Sequence, residues 1–92
     1  MERKATQAAR RAAFDYASRL CARLPRRLQD VREARTRSKY GLGRDSGVAR
    51  EMIGRIESGR TVPTLFVVAR LAFTLGMTLT EFVQGLDGGA LA

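Results

Sequence analysis

Between Ser38 and Gly59 the chain holds two segments long enough only for short helices, split by Ser46-Gly47 and closed by Gly59. That spacing constrains the fold more than any other feature. Ser38 is a good N-cap for a helix through Asp45, because a side-chain oxygen there accepts from a backbone N–H that has no partner within the helix. Ser46-Gly47 supplies the turn that ends it, since glycine readily takes the left-handed conformation common just past a helix end. A new helix follows at once, from about Ala49 to Ser58. Val48, Ile53 and Ile56 give it an apolar side, while Arg50, Glu51, Gly54 and Arg55 fall on the other.

Helical punctuation continues on both flanks. Residues 3–24 lack Gly and Pro and carry Ala13, Tyr16/Ala17, Leu20 and Leu24 at spacings of three and four, the mark of an amphipathic helix. It is expected to end before Pro25, where a second helix begins and runs to Ala34 with Leu28, Val31 and Ala34 as its stripe. Thr64 can cap a helix reaching Leu75, stopped by Gly76, whose core face is Leu65, Val68, Leu71, Ala72 and Leu75. Thr78-Leu79-Thr80-Glu81 reads as a capping box opening a last helix that ends by Gly85. No strand alternation and no repeats occur, so the expected class is all-α. The organisation expected is a basic amphipathic helix over 1–24, a helical domain over 25–85 and a short flexible tail over 86–92.

Net charge is +8, which favours a polyanionic partner. Residues 1–39 hold twelve Lys and Arg against four acids, and residues 40–92 five against five, so the excess lies wholly in the first part. A basic, alanine-rich leading segment also fits a transit peptide or a membrane-surface helix, but Glu2 and Asp15 interrupt it and a domain follows directly. No apolar run approaches the roughly 20 residues needed to cross a bilayer. With no His and the single Cys21, the chain offers no zinc cluster, Cys/His dyad or Ser/His/Asp triad. Neither an enzyme nor a bound cofactor is expected, and a lone cysteine suits a reducing cytoplasm.

Two short helices joined by a glycine-containing turn, the second polar outside, form the helix-turn-helix pattern. The first must cross the phosphate backbone while the second enters a major groove about 12 Å wide, so the angle between them is fixed. Arg32-Glu33, Ser38-Lys39-x-x-Leu42-Gly43, Ser46-Gly47-Val48, Ile53-Gly54-Arg55-Ile56-Glu57-Ser58-Gly59-Arg60, Pro63-Thr64-Leu65 and Leu71-Ala72-x-x-Leu75-Gly76 closely resemble the Cro/phage-repressor family of xenobiotic-response-element type. The resemblance spans residues 28–83 without a gap. It implies a five-helix, lambda-repressor-like bundle with one extra N-terminal helix, in which 38–45 crosses the backbone and 49–58 reads the groove. Carried over, Arg50, Glu51 and Arg55 fall where the family reads bases, and Ser38, Lys39, Ser58 and Arg60 where it holds phosphates. Arg32 and Glu57 match a pair that in this family forms an ion pair between the first and third helices. The family usually has a polar cap at Ala49, glutamine at Lys39 and an apolar residue at Arg37.

Phe66, Val67 and Phe73 occupy positions the family commonly keeps polar, and the two rings lie seven residues apart on one face. Apolar rings on an outer face suggest a contact surface. The leading helix either covers them within one chain or helps build a dimer. The expected protein is therefore a transcriptional regulator, a dimeric repressor of inverted-repeat operators in double-stranded DNA, cytoplasmic and nucleoid-associated in a bacterial or phage setting. The alternative is an antitoxin that controls its own operon and binds a toxin protein; a co-regulator is the other partner protein considered, and no membrane is expected. A third reading, a non-specific basic coat protein, predicts equal affinity for all sequences.

Overall fold

Local capping chemistry cuts the second half of the chain into the expected pieces. The computed structural model describes residues 2–87, with side chains from residue 6 onward. It contains α1 (Glu2–Ala34), α2 (Lys39–Ser46), α3 (Arg50–Glu57), α4 (Leu65–Thr74) and α5 (Leu79–Asp87), with no strand among the described residues. Ser38 Oγ accepts from the Gly41 N–H at 2.9 Å, and Gly47 at φ 77° closes α2 by donating to the Gly43 carbonyl. Thr64 Oγ1 caps α4 by accepting from the Val67 N–H at 3.2 Å. The Thr78–Glu81 box is reciprocal: the Thr78 N–H donates to Glu81 Oε1 at 2.8 Å, and the Glu81 N–H to Thr78 Oγ1 at 3.1 Å. Ala49, lacking an acceptor, leaves α3 without a side-chain cap.

Three expectations need correction. The break expected at Pro25 does not occur, and the two helices foreseen on either side of it are one 33-residue helix. Proline in a helix interior removes one backbone bond and clashes with the preceding turn, at a cost of about 3 kcal/mol or more. Tertiary bonds on both sides offset it. Arg23 Nη1 donates to the Leu86 and Asp87 carbonyls at 2.9 and 3.0 Å, and Arg27 donates to those of Phe82 and Glu81, each at 3.1 Å. The close approach leaves no room at Gly85, where a β-carbon would collide with the Arg27 guanidinium. Those same bonds carry α5 past Gly85 to Asp87, with Leu86 buried; the rest of the tail, 88–92, lies outside the described residues. Finally Leu65 and Ala34, expected on the buried faces of their helices, are exposed.

The core is one cluster. Leu24, Leu28 and Val31 of α1 meet Leu42, Val48, Ile53 and Ile56 of the α2–α3 unit, Val68, Leu71, Ala72 and Leu75 of and just after α4, and Phe82 and Leu86 of α5. Helix α1 packs on α3 and α5, α2 on α3 and α4, and α4 on α5. Leu42, Ile53 and Ala72 are fully buried, so the angle between α2 and α3 is held from behind by apolar packing. The longest dimension is 53 Å, which a 33-residue helix at about 1.5 Å per residue accounts for. No single helix among the described residues is long and apolar enough to cross a membrane.

Candidate nucleic-acid interface

Helix α3 starts at Arg50, so Arg50 and Glu51 occupy its first turn and Arg55 follows one turn later. Ile53 and Ile56 are buried beneath, which forces these three outward, and all three are exposed. Residues three and four apart share a helix face, so Glu51 stands over Gly54 and Arg55 on the outer side. Arg50 Nη2 lies 3.8 Å from Glu51 Oε2, a loose and exposed pair that leaves the guanidinium available.

The turn in front of α3 is pinned by three independent features. Ser46 Oγ accepts from the Val48 N–H at 3.1 Å. Arg70 of α4 donates from Nε to the Ser46 carbonyl at 3.1 Å. Gly47 adopts φ 77°, which an L side chain rarely does, and the Arg70 guanidinium fills the space a β-carbon would need. Gly43 matters in the same way, since a β-carbon there would lie 2.8 Å from the Val48 carbonyl oxygen. Small residues at 43 and 47 thus let α2 and α3 approach at the angle the motif requires.

Behind α3 sits the pair that the family resemblance implied. Arg32 Nε donates to Glu57 Oε2 at 2.7 Å and Arg32 Nη2 to Glu57 Oε1 at 3.0 Å, a two-pronged bond between side chains only 10% and 6% exposed. Arg32 Nη1 also donates to the Arg37 carbonyl at 2.8 Å. The Glu57 hydrogen bond raises the Arg32 pKa above its already high ordinary value, against the opposing effect of burial. One guanidinium therefore fastens α1 to the end of α3 and to the loop before α2.

On the first helix of the motif, Lys39 is exposed next to the cap, and Ser38 Oγ, while accepting from Gly41, keeps its own proton to donate. Ser58 and Arg60 are exposed just past α3. The Ser58 hydroxyl donates to the Arg55 carbonyl at 3.1 Å, so its proton is engaged within the chain. Arg37 is braced against Asp45 at 2.7 Å, and Arg44 donates to the same carboxylate, whose pKa is lowered chiefly by the Arg44 hydrogen bond. Tyr40, 62% exposed, and Arg44 line a surface cleft with Gly47, Ala49 and Arg50. Sequence reasoning passed over both; their i, i+4 spacing on the polar side of α2 was the available signal.

The outer face of α4 divides. Phe66 and Phe73 are 69% and 83% exposed, whereas Val67 is half-buried against the core and does not belong with them. Helix α1 does not cover the rings, because it lies against α3 and α5 instead. Arg70 sits over one face of Phe66, 5.3 Å from the ring centroid. An exposed ring thus supports the arginine that holds the Ser46 turn.

Helices α2 and α3, with their fixed turn and polar outer face, define a helix-turn-helix DNA-binding unit. The family model described as a helix-turn-helix domain matches residues 23–83, well over half of the chain, and the chain belongs to that family. The match is consistent with the xenobiotic-response-element type of DNA-binding protein. Comparison with curated proteins and with solved structures returns no match.

Proposed function

We propose that this protein is a sequence-specific transcriptional regulator rather than an enzyme, binding double-stranded DNA as a cytoplasmic homodimer and repressing from inverted-repeat operators. What carries the reading is the exposed Arg50, Glu51 and Arg55 face of α3, backed by the buried Arg32–Glu57 pair. Arginine can bond two-pronged to guanine O6 and N7, and glutamate can accept from cytosine N4. Lys39, Ser38, Ser58 and Arg60 flank that face and serve the phosphates, which position the protein without reading sequence. A single reading helix contacts few base pairs, too few to pick one site among ~10⁶ competitors, so two heads about 34 Å apart supply the specificity.

The test begins by selecting the preferred site from random-sequence DNA. Arg50→Ala or Arg55→Ala then costs about 1 to 3 kcal/mol on that site and relaxes preference at one base pair, with little effect on random DNA. Equal losses on both DNAs refute base reading. Lys39→Ala flattens the slope of log affinity against log salt by about 0.9 for the lost phosphate contact. A second reading, an antitoxin that binds a toxin protein, is favoured by the exposed Phe66 and Phe73 rings. Tight binding of a small protein encoded beside this chain, abolished by Phe73→Glu with DNA binding intact, would establish it.

A further inference from the structure

Two arginines from outside the motif hold α3, one near each end, and they do so by different chemistry. Arg32 of α1 grips Glu57, the last residue of α3, through the buried ion pair. Arg70 of α4 acts at the other end. Only Gly47, Val48 and Ala49 separate α2 from α3, and the Ser46 carbonyl that opens this turn accepts from Arg70 Nε at 3.1 Å. The last carbonyls of a helix have no partner within it, so a side chain from another helix completes the end of α2 here. Ser46 is held twice, since its Oγ also accepts from the Val48 N–H. Ala49 gives α3 no side-chain cap, so the first turn, with Arg50 and Glu51, takes its place from what fixes Ser46 and buried Val48.

The surroundings of Arg70 suit an anchor rather than a charge partner. It forms no ion pair among the described residues. Its guanidinium lies over the ring of Phe66, one turn earlier on α4, and fits against Gly47 where any β-carbon would collide with it. The ring and the bare glycine together restrict where the guanidinium can sit.

We propose that Arg70 is a positioning residue for DNA reading: through the Ser46 carbonyl it fixes where α3 begins, and so sets Arg50 and Glu51 against the base edges without touching DNA itself. This rests on the reading of α3 as the helix that enters the groove. A two-pronged contact from arginine to guanine needs its donors placed to within about 0.5 Å, so a turn that is free to shift loses that contact first. Phosphate contacts depend on charge near the backbone and carry no sequence information, so they tolerate the shift. Loss of Arg70 therefore falls on the preferred site and spares random DNA.

Two neutral substitutions separate the hydrogen bond from the charge. Glutamine carries its amide nitrogen on the δ-carbon, the position of arginine Nε, so Arg70→Gln keeps a donor for Ser46, whereas Arg70→Met has none. Affinity of the full chain is measured across a salt series, for the preferred site selected from random-sequence DNA and for random DNA. Arg70→Met is expected to lose about tenfold on the preferred site, with random-DNA affinity and salt slope unchanged, and Arg70→Gln to recover most of that loss. Phe66→Leu weakens the preferred site in the wild-type background and adds nothing to Arg70→Met. In the free protein, amide exchange at Val48 is faster in Arg70→Met than in Arg70→Gln. Equal losses in both variants, with the slope reduced by about 0.9, make Arg70 a phosphate contact and overturn the positioning role while base reading stands. Undiminished preferred-site affinity in Arg70→Met overturns it too, as does an equal loss on random DNA at unchanged slope, which marks a defect of the whole fold. A wild-type chain that binds all sequences alike overturns base reading, and the positioning role with it.

Discussion

Removing the Glu57 carboxylate while keeping its shape, as Glu57→Gln, is the most informative single change. The variant leaves Arg32, 10% exposed in its side chain, with a full charge and only the exposed Glu33 carboxylate, 3.9 Å away, to offset it. Breaking one partner of a buried pair costs about 3 to 5 kcal/mol, because the survivor stays desolvated and uncompensated. At about 0.05 to 0.15 kcal/mol per residue, a 92-residue chain has roughly 5 to 14 kcal/mol in all. At about 4 to 8 °C per kcal/mol, the melting temperature falls by at least ~12 °C. Replacing both partners by apolar residues of similar volume, Arg32→Met with Glu57→Leu, is expected to recover most of that loss, since neither charge is then buried alone. Thermal and urea unfolding followed by circular dichroism measure both variants. A Glu57→Gln loss under about 1 kcal/mol, the range of an exposed pair, would refute the reasoning.

Gly43→Ala is expected to destabilise by about 1 to 3 kcal/mol, because the added β-carbon meets the Val48 carbonyl oxygen at 2.8 Å and backbone must move. Gly54→Ala is its control: nothing lies within 4 Å of the new atom, so removing an interior helical glycine adds about 0.5 to 1 kcal/mol in the same unfolding assay. Glu81 has its pKa lowered, first by the hydrogen bond from the Thr78 N–H. Its folded pKa lies below its unfolded one, so the stabilisation is present above the ordinary carboxylate range and is lost as pH falls through the folded value. The melting difference between wild type and Glu81→Gln should therefore be present at neutral pH and shrink as the pH falls below the ordinary carboxylate range.

What could be read in the sequence was mostly what is decided within a few residues. Ser38, Gly47, Thr64 and the Thr78–Glu81 box act on backbone groups three or four positions away, so their residue types state their role. Pro25 misled because its cost is met by Arg23 and Arg27 reaching carbonyls of α5, partners 54 to 64 positions away with no local signature. The interface residues divide on the same line. The outward face of α3 followed from helical spacing, and the Arg32–Glu57 pair came from family resemblance alone. Val67 was misplaced because helical spacing does not say how far the core extends toward an outer face. The cover of Arg70 over Phe66 arises between side chains of an outer face that no hydrophobic pattern pairs.

Helix α1 is one element by geometry and two by thermodynamics. Its C-terminal turns carry Leu28, Val31 and Arg32 and can open only when the whole core opens. Its N-terminal turns over 6–19 are exposed apart from half-buried Tyr16, and isolated helices of that length are marginal in water. Pro25 falls between them, where one rung of the hydrogen-bond ladder is already missing, so melting that starts in the exposed turns halts there. Amide protons before Cys21 should therefore exchange with solvent by local fraying, and those after Leu28 only by global unfolding. The proline works as a firebreak that keeps loss of the exposed turns from spreading into those that carry Arg32 behind α3.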